Sequence, residues 1–154
     1  MQLLENIKTE ILKDSNFKSC SIYEPVRGAI AAPAVFLEIS GYSAGSDPAT
    51  GELALIANID ARVVVDAVSA NADVICQGLA CKVAEIAHLN SFGIDVTPGA
   101  VVGISRDAFK PEFDAYICWL VEWSHEFHVG TSIWNDNEAL PPHELFINGG
   151  INGQ

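Results

Sequence analysis

The sequence predicts an α+β domain: a mostly antiparallel sheet flanked by two helices, in the order α-β-β-β-α-β-β with an extended C-terminal tail. Two long segments, 52–66 and 113–129, alternate apolar and polar residues with period two, as half-buried strands do. Two others, 1–14 and 69–90, repeat their apolar residues at steps of three and four, as amphipathic helices do. Runs of strands between helices, without strict strand–helix alternation, favour helices packed on an antiparallel sheet.

Each element has its own local reasons. In 1–14, Leu3, Leu4, Ile7, Ile11 and Leu12 share one helical face, and Asp14-Ser15-Asn16 ends the pattern. A short strand follows at 18–24, with Pro25 and Gly28 marking a loop. Pro33 opens a second strand, Ala34 to Ile39. The stretch 41–51 holds Gly41, Gly45, Asp47-Pro48 and Gly51, a composition for a loop or hairpin tip. In 52–66, Leu53, Leu55, Ala57, Ile59, Ala61, Val63 and Val65 face one way. Asn58, Asp60, Arg62 and Asp66 face the other, predicting a mostly wet second face.

The helix over 69–90 is predicted to bury Ala72, Ile75, Leu79, Val83 and Ile86, with Ser69 or Asn71 as cap and Asn90-Ser91 and Gly93 as stop. Its alanines allow a close approach to a sheet, and Gly78 is a candidate mark of tight packing. Residues 96–106 read as extended, broken by Pro98-Gly99. In 113–129, Ile117, Trp119, Val121, Trp123, His125, Phe127 and Val129 share a face. The other face is apolar at Tyr116, Cys118 and Leu120, then polar at Glu122, Ser124, Glu126 and His128. One domain over 1–130 and a tail over 131–154 follow, the tail still carrying Ile133, Trp134, Leu140, Leu145, Phe146 and Ile147.

At 154 residues the chain has one domain's worth of polymer, and 49 % hydrophobic residues supply a core. Twenty acids against eight bases give a net charge of −12, which disfavours the non-specific phosphate binding on which nucleic-acid contacts rest and attachment to an anionic membrane, and no specific nucleic-acid binding is expected. The N-terminus lacks a basic n-region followed by an apolar run, and no stretch reaches the ~18 apolar residues of a membrane span. A cytoplasmic setting is expected. Cys20, Cys76, Cys81 and Cys118 are then expected as free, buried thiols.

Gly41-Tyr42-Ser43-Ala44-Gly45 fits the G-x-S-x-G nucleophile elbow, and Asp66 and His125 could complete a triad in chain order. The segment that follows is a turn, however, and not the helix an elbow requires. His125 and His128 stand three apart on a strand and so face opposite ways, unable to share a metal ion, and read as one half-buried and one exposed histidine. Cys76 and Cys81 lie roughly 140° apart around a helix and are equally unsuited. No cofactor motif is present. Glu122 and Glu126 share a strand face about 13 Å apart, too far for paired acid–base work, and read as a solvated face.

Residues 111–154 hold seven acids (Glu112, Asp114, Glu122, Glu126, Asp136, Glu138 and Glu144) and no Lys or Arg. Such an acidic surface serves solubility, repels DNA or meets a basic partner.

The N-terminal helix and long hairpin around 47–51, the single long helix at 69–90, and the closing Tyr116–Gly130 strand with Ile133-Trp134 and a Pro-containing tail together resemble the tail terminator family of tailed bacteriophages and prophage elements. The resemblance spans most of the chain and implies a non-enzymatic protein. Such a protein caps the tail tube as a ring, generally a hexamer, stops tube polymerisation and provides the surface that joins the head. Its implied partners are further copies of itself, the tail tube protein and a head completion or connector protein. Its implied place is the host cytoplasm during assembly and then the virion tail. The family supplies no catalytic residue. Small neck and head–tail connector proteins share the fold and form the alternative, with a small serine hydrolase using Ser43 further off. For a ring, the candidate subunit or tube contacts are Tyr42, Asp47 and Thr50 on the glycine-rich hairpin and Ile133, Trp134 and Phe146 in the tail, unless the tail folds back on its own domain. Glu122, Glu126, Asp136 and Glu138 form the candidate acidic surface.

Overall fold

A computed structural model describes residues 2–22, 29–107 and 115–134. The elements are α1 (Gln2–Leu12), β1 (Ser19–Ile22), β2 (Ala34–Ala44), β3 (Leu53–Asp66), α2 (Ala72–Ala87), β4 (Ala100–Arg106) and β5 (Tyr116–Val129). The five strands form one sheet in the order β1-β2-β3-β5-β4. Only β1 and β2 run parallel; the other neighbours are antiparallel. The predicted α+β class and element order are those observed.

Both helices cover one face of the sheet. Leu3, Leu4, Ile7 and Ile11 of α1 join Val35, Leu37, Ile59, Ala61, Val63, Val121 and Trp123 of the strands in a single core. Burial of each large aliphatic or aromatic side chain stabilises the fold by about 1.5–3 kcal/mol. Leu12, predicted inward, is 42 % exposed, because it falls at the end of the helix.

The inward face of α2 differs from the prediction. The buried residues are Ala72, Cys76, Ala80, Val83, Ala84 and Ala87, while Ile75 is exposed and Leu79 and Ile86 are half-buried flanks. Small side chains lie where the helix presses on β3 and β5, and the larger ones are displaced sideways. The Cys76 thiol donates to the Val63 carbonyl at 3.2 Å. Gly78 is on the outer face, with nothing within 4 Å of a Cβ built there, so it marks no tight packing. Asn71 takes the N-cap position in a left-handed conformation (φ 57°) without a side-chain capping bond.

The second face of β3 is not wet. Asp60 and Arg62 are buried there, and Val64 joins Ala34, Phe36 and Cys118 in a second, smaller apolar cluster. Ile30 and Tyr116 pack on that cluster, and the Tyr116 hydroxyl accepts the Ile30 N–H at 3.2 Å. Ile30, ahead of β2, and Asp107, just after β4, lie on this side of the sheet, which the alternation in β3 alone could not reveal. β2 also runs further than predicted. Residues 41–44 pair with 55–58 of β3 after a bulge between Ile39 and Gly41, so the turn itself is confined to residues beyond Ala44. All four cysteines are free; Cys20, Cys76 and Cys118 are buried as expected, but Cys81 is exposed, because it falls on the outer face of α2. Burial pushes the Cys20 and Cys76 thiols up to about 12, so neither is a reactive thiolate.

Candidate functional site: the projecting hairpin and the groove beside it

The hairpin of β2 and β3, with the end of β5, carries apolar groups onto exposed surface. Tyr42 is 51 % exposed, Leu53 56 % and Val129 47 %. Tyr42 meets Phe127 edge to face, ring centroids 6.1 Å apart.

The tip is built from local turn chemistry. Asp47 Oδ1 accepts the Ala49 N–H at 2.9 Å, which closes the turn after Pro48. Ala49 and Gly51 both have positive φ, 58° and 82°. The Thr50 hydroxyl donates to Glu52 Oε1 at 2.8 Å. The chain that leaves β5 then comes back against this tip. The Ile133 N–H donates to the Thr50 carbonyl at 2.8 Å, and the Trp134 indole N–H donates to the Ala49 carbonyl at 3.1 Å. Five of the six residues singled out as contact candidates, Tyr42, Asp47, Thr50, Ile133 and Trp134, thus belong to one end of the molecule. Ile133 and Trp134 stay 69 % and 67 % exposed. Phe146, and the acids Asp136 and Glu138, lie outside the described residues.

Sequence reasoning missed a groove beside this hairpin. An open cavity of about 330 Å³ lies between the start of α1, residues 94–96 and the sheet. Ile39, Tyr42, Ala57, Ile94, Val96 and Phe127 line it. Its volume is at the lower end of the range that holds a ligand or a few large side chains, roughly 300–1,000 Å³. Apolar residues on four separate segments, β2, β3, 94–96 and β5, meet here, and only the isolated apolar signals at Ile94 and Val96 hinted at it.

The acidic residues do not make a simple solvated face. Glu122 stands directly opposite Asp60 on β3, which stands directly opposite Glu38 on β2. Three carboxylates therefore cross the sheet in one row. Arg62, one step along β3, is the cation that serves them. It bonds Glu38 Oε1 at 2.6 Å and Asp107 Oδ2 at 2.9 Å, with Asp60 Oδ2 at 3.8 Å. Burial opposes the Arg62 charge, but the bonds to Glu38 and Asp107 more than offset it and hold its pKa above the usual value. Burial raises the pKa of Asp60; Arg62 opposes the rise, and Glu122 and Glu38 add to it. Glu126 is half-buried and accepts the Ser46 N–H at 3.2 Å through Oε2. Gly45 makes this contact possible, since a Cβ there would collide with the Glu126 carboxylate. This bond ties β5 to the hairpin turn.

The enzyme motif dissolves in this geometry. Ser43 lies within β2, paired with Ile56, and not on a strand-to-helix turn. His125 is fully buried rather than half-buried; its Nε2 accepts the Trp123 indole N–H at 3.0 Å and its Nδ1 bonds the Thr97 carbonyl at 2.7 Å. Both ring nitrogens are occupied, so the ring has no lone pair left for a serine proton. His128 is exposed on the opposite face. Among the described residues, no group of three His, Cys, Asp or Glu side chains could hold a metal ion, and no helix is long and apolar enough to cross a membrane.

No protein-family model and no curated protein matches the chain. A solved structure does. A chain of the "Virion of native gene transfer agent (GTA) particle" superposes with a TM-score of 0.64 at 10 % sequence identity, over 82 % of this chain and 95 % of that one. The two share a fold over nearly the whole of that virion chain.

Proposed function

We propose that this protein is a non-enzymatic structural component of a phage-like particle, and more narrowly a tail terminator. The fold likeness to a virion chain, over 95 % of that chain, is the observation that carries the reading. The exposed apolar end of the hairpin adds to it, since exposed Tyr, Trp and Ile gathered at one end suit a contact surface better than a solvated one.

In this reading several copies, generally six, close into a ring on the end of the tail tube. The ring blocks addition of further tube subunits and offers its other side to a head completion or connector protein. Assembly takes place in the host cytoplasm, and the ring then stays in the virion tail. A net charge of −12 per copy gives the ring a strongly negative field, which does not grip passing DNA.

The test is to add the purified chain to polymerising tail tubes and measure tube lengths by electron microscopy. Capping shortens the tubes and leaves a ring of about six times 16.5 kDa at one end. Unchanged lengths with no bound ring overturn the terminator reading. Binding to heads alone would favour a head–tail connector instead. A reporter-ester assay with Ser43→Ala checks the hydrolase alternative, and no activity dependent on Ser43 is expected.

A further inference from the structure

The apolar knob and the apolar groove belong to the same chain, yet the knob does not fill the groove: Ile133 and Trp134 are not among the residues that line it. Ile133 and Trp134 are pinned to the hairpin tip by backbone and indole bonds to Thr50 and Ala49. The groove reaches toward the tip as far as Phe127 and His128, which pair with Leu55 and Ala54 of β3, and residues 47–51 do not line it. The described chain ends at Trp134, on the outermost part of the hairpin, with residues 135–154 still to run and further apolar side chains at Leu140, Leu145 and Phe146.

We propose that the groove receives the C-terminal segment of a second copy of this chain, entering with Ile133 and Trp134. A knob on one surface and its hole on another make a heterologous contact, which repeats from copy to copy and closes into a ring when the rotation allows. The contact deepens the ring reading and rests on it for closure. It assigns the donor side to the hairpin tip and the acceptor side to Ile39, Tyr42, Ala57, Ile94, Val96 and Phe127. Asp95 and the β5 chain at His128 border the same groove.

The experiment uses the full chain with the photo-reactive residue benzoylphenylalanine in place of Trp134. Equal parts of ¹⁴N- and ¹⁵N-labelled chains are mixed, irradiated and mapped by mass spectrometry. Mixed-isotope crosslinks to residues 94–96, Tyr42 or Phe127 are expected. Val96→Asp on the acceptor side should cut their yield about tenfold, as should Ile133→Ser beside the probe. Ile133 is exposed, so its substitution leaves the fold intact and keeps the test decisive if Val96→Asp misfolds. Crosslinks confined to one chain, crosslinks to another surface, or none at all overturn the inference. Light scattering on the same sample separates the two ideas. A six-copy particle without groove crosslinks removes this contact and leaves the ring reading. Groove crosslinks in a chain that never caps tubes leave the contact and remove the terminator.

Discussion

The Trp134 indole N–H donates to the Ala49 carbonyl at 3.1 Å, joining residues 85 positions apart. That bond seats the start of the tail on the hairpin tip while the ring itself stays two-thirds exposed. A single exposed hydrogen bond and little burial contribute little to stability. Trp134→Ala is therefore expected to move the unfolding free energy of the isolated chain by about 0.5 kcal/mol or less, measured by urea denaturation. A loss of several kcal/mol would mean that the tip is a structural keystone and not a contact surface.

His125 should make stability depend on pH. Burial depresses its pKa below the usual 6.5, and the Thr97 carbonyl only partly opposes that. The folded protein thus holds the neutral ring, with Nδ1–H to Thr97 and Nε2 facing the Trp123 indole. The unfolded chain takes up the proton first as pH falls. Stability from this site is complete above pH 6.5 and is lost as pH drops from there toward the folded-state value. Urea midpoints measured across this window should fall with pH in the wild type. His125→Phe should flatten that slope while costing about 1–3 kcal/mol at higher pH, because the Trp123 N–H loses its acceptor.

The Arg62 cluster predicts opposite outcomes for its two central residues. Arg62→Met removes the cation bonded to Glu38 and Asp107 beside the buried Asp60, and should cost about 3–5 kcal/mol. Asp60→Asn removes the middle charge of the carboxylate row and should be neutral or stabilising at pH 7. The sign follows from the raised pKa of Asp60: the folded state takes up that proton before the unfolded state does, so the penalty of the ionised group fades as pH falls. The benefit of Asp60→Asn should therefore vanish in acid. Thermal melts at pH 7 and pH 4 check this, and a clear loss of stability at pH 7 would count against the repulsive row.

Two glycines should respond to alanine with opposite signs. Gly78 sits in the exposed outer face of α2 with open space around its missing Cβ, so Gly78→Ala should stabilise by about 1 kcal/mol. Gly99 exchanges backbone hydrogen bonds with Leu89 and Asn90, and a Cβ there would run into the Ala87 carbonyl oxygen. Gly99→Ala should cost about 1–3 kcal/mol, since the obstacle is backbone and cannot swing aside. Paired denaturation curves decide both.

Much of the architecture was legible in the residue pattern. The two faces of β5 follow its alternation, with Val121, Trp123 and His125 buried and His128 out. The inward face of α1 was read from its spacing at Leu3, Leu4, Ile7 and Ile11. The inward face of α2 was not, because its apolar residues wrap too far round the helix for periodicity to choose among them. Contact with a sheet favoured the small set, Ala72, Cys76, Ala80 and Ala84, over the larger Ile75 and Leu79. Polar alternation in β3 misled for a related reason: Asp60 and Arg62 are polar yet buried, since their partners Glu38 and Asp107 come from distant segments.

The sequence by itself determined the class of fold, the order of the elements, the free thiols and the absence of an elbow helix after Ser43, because these depend on periodicity and turn chemistry among near neighbours. It also marked Tyr42, Asp47 and Thr50 on the hairpin and, separately, Ile133 and Trp134 in the tail. Only the tertiary structure decided that these five share one end of the molecule, that an apolar groove opens beside them, and that three carboxylates line up across the sheet around Arg62. Such features depend on strand register and on segments up to 85 residues apart. A linear pattern carries no record of either until the chain has closed on itself.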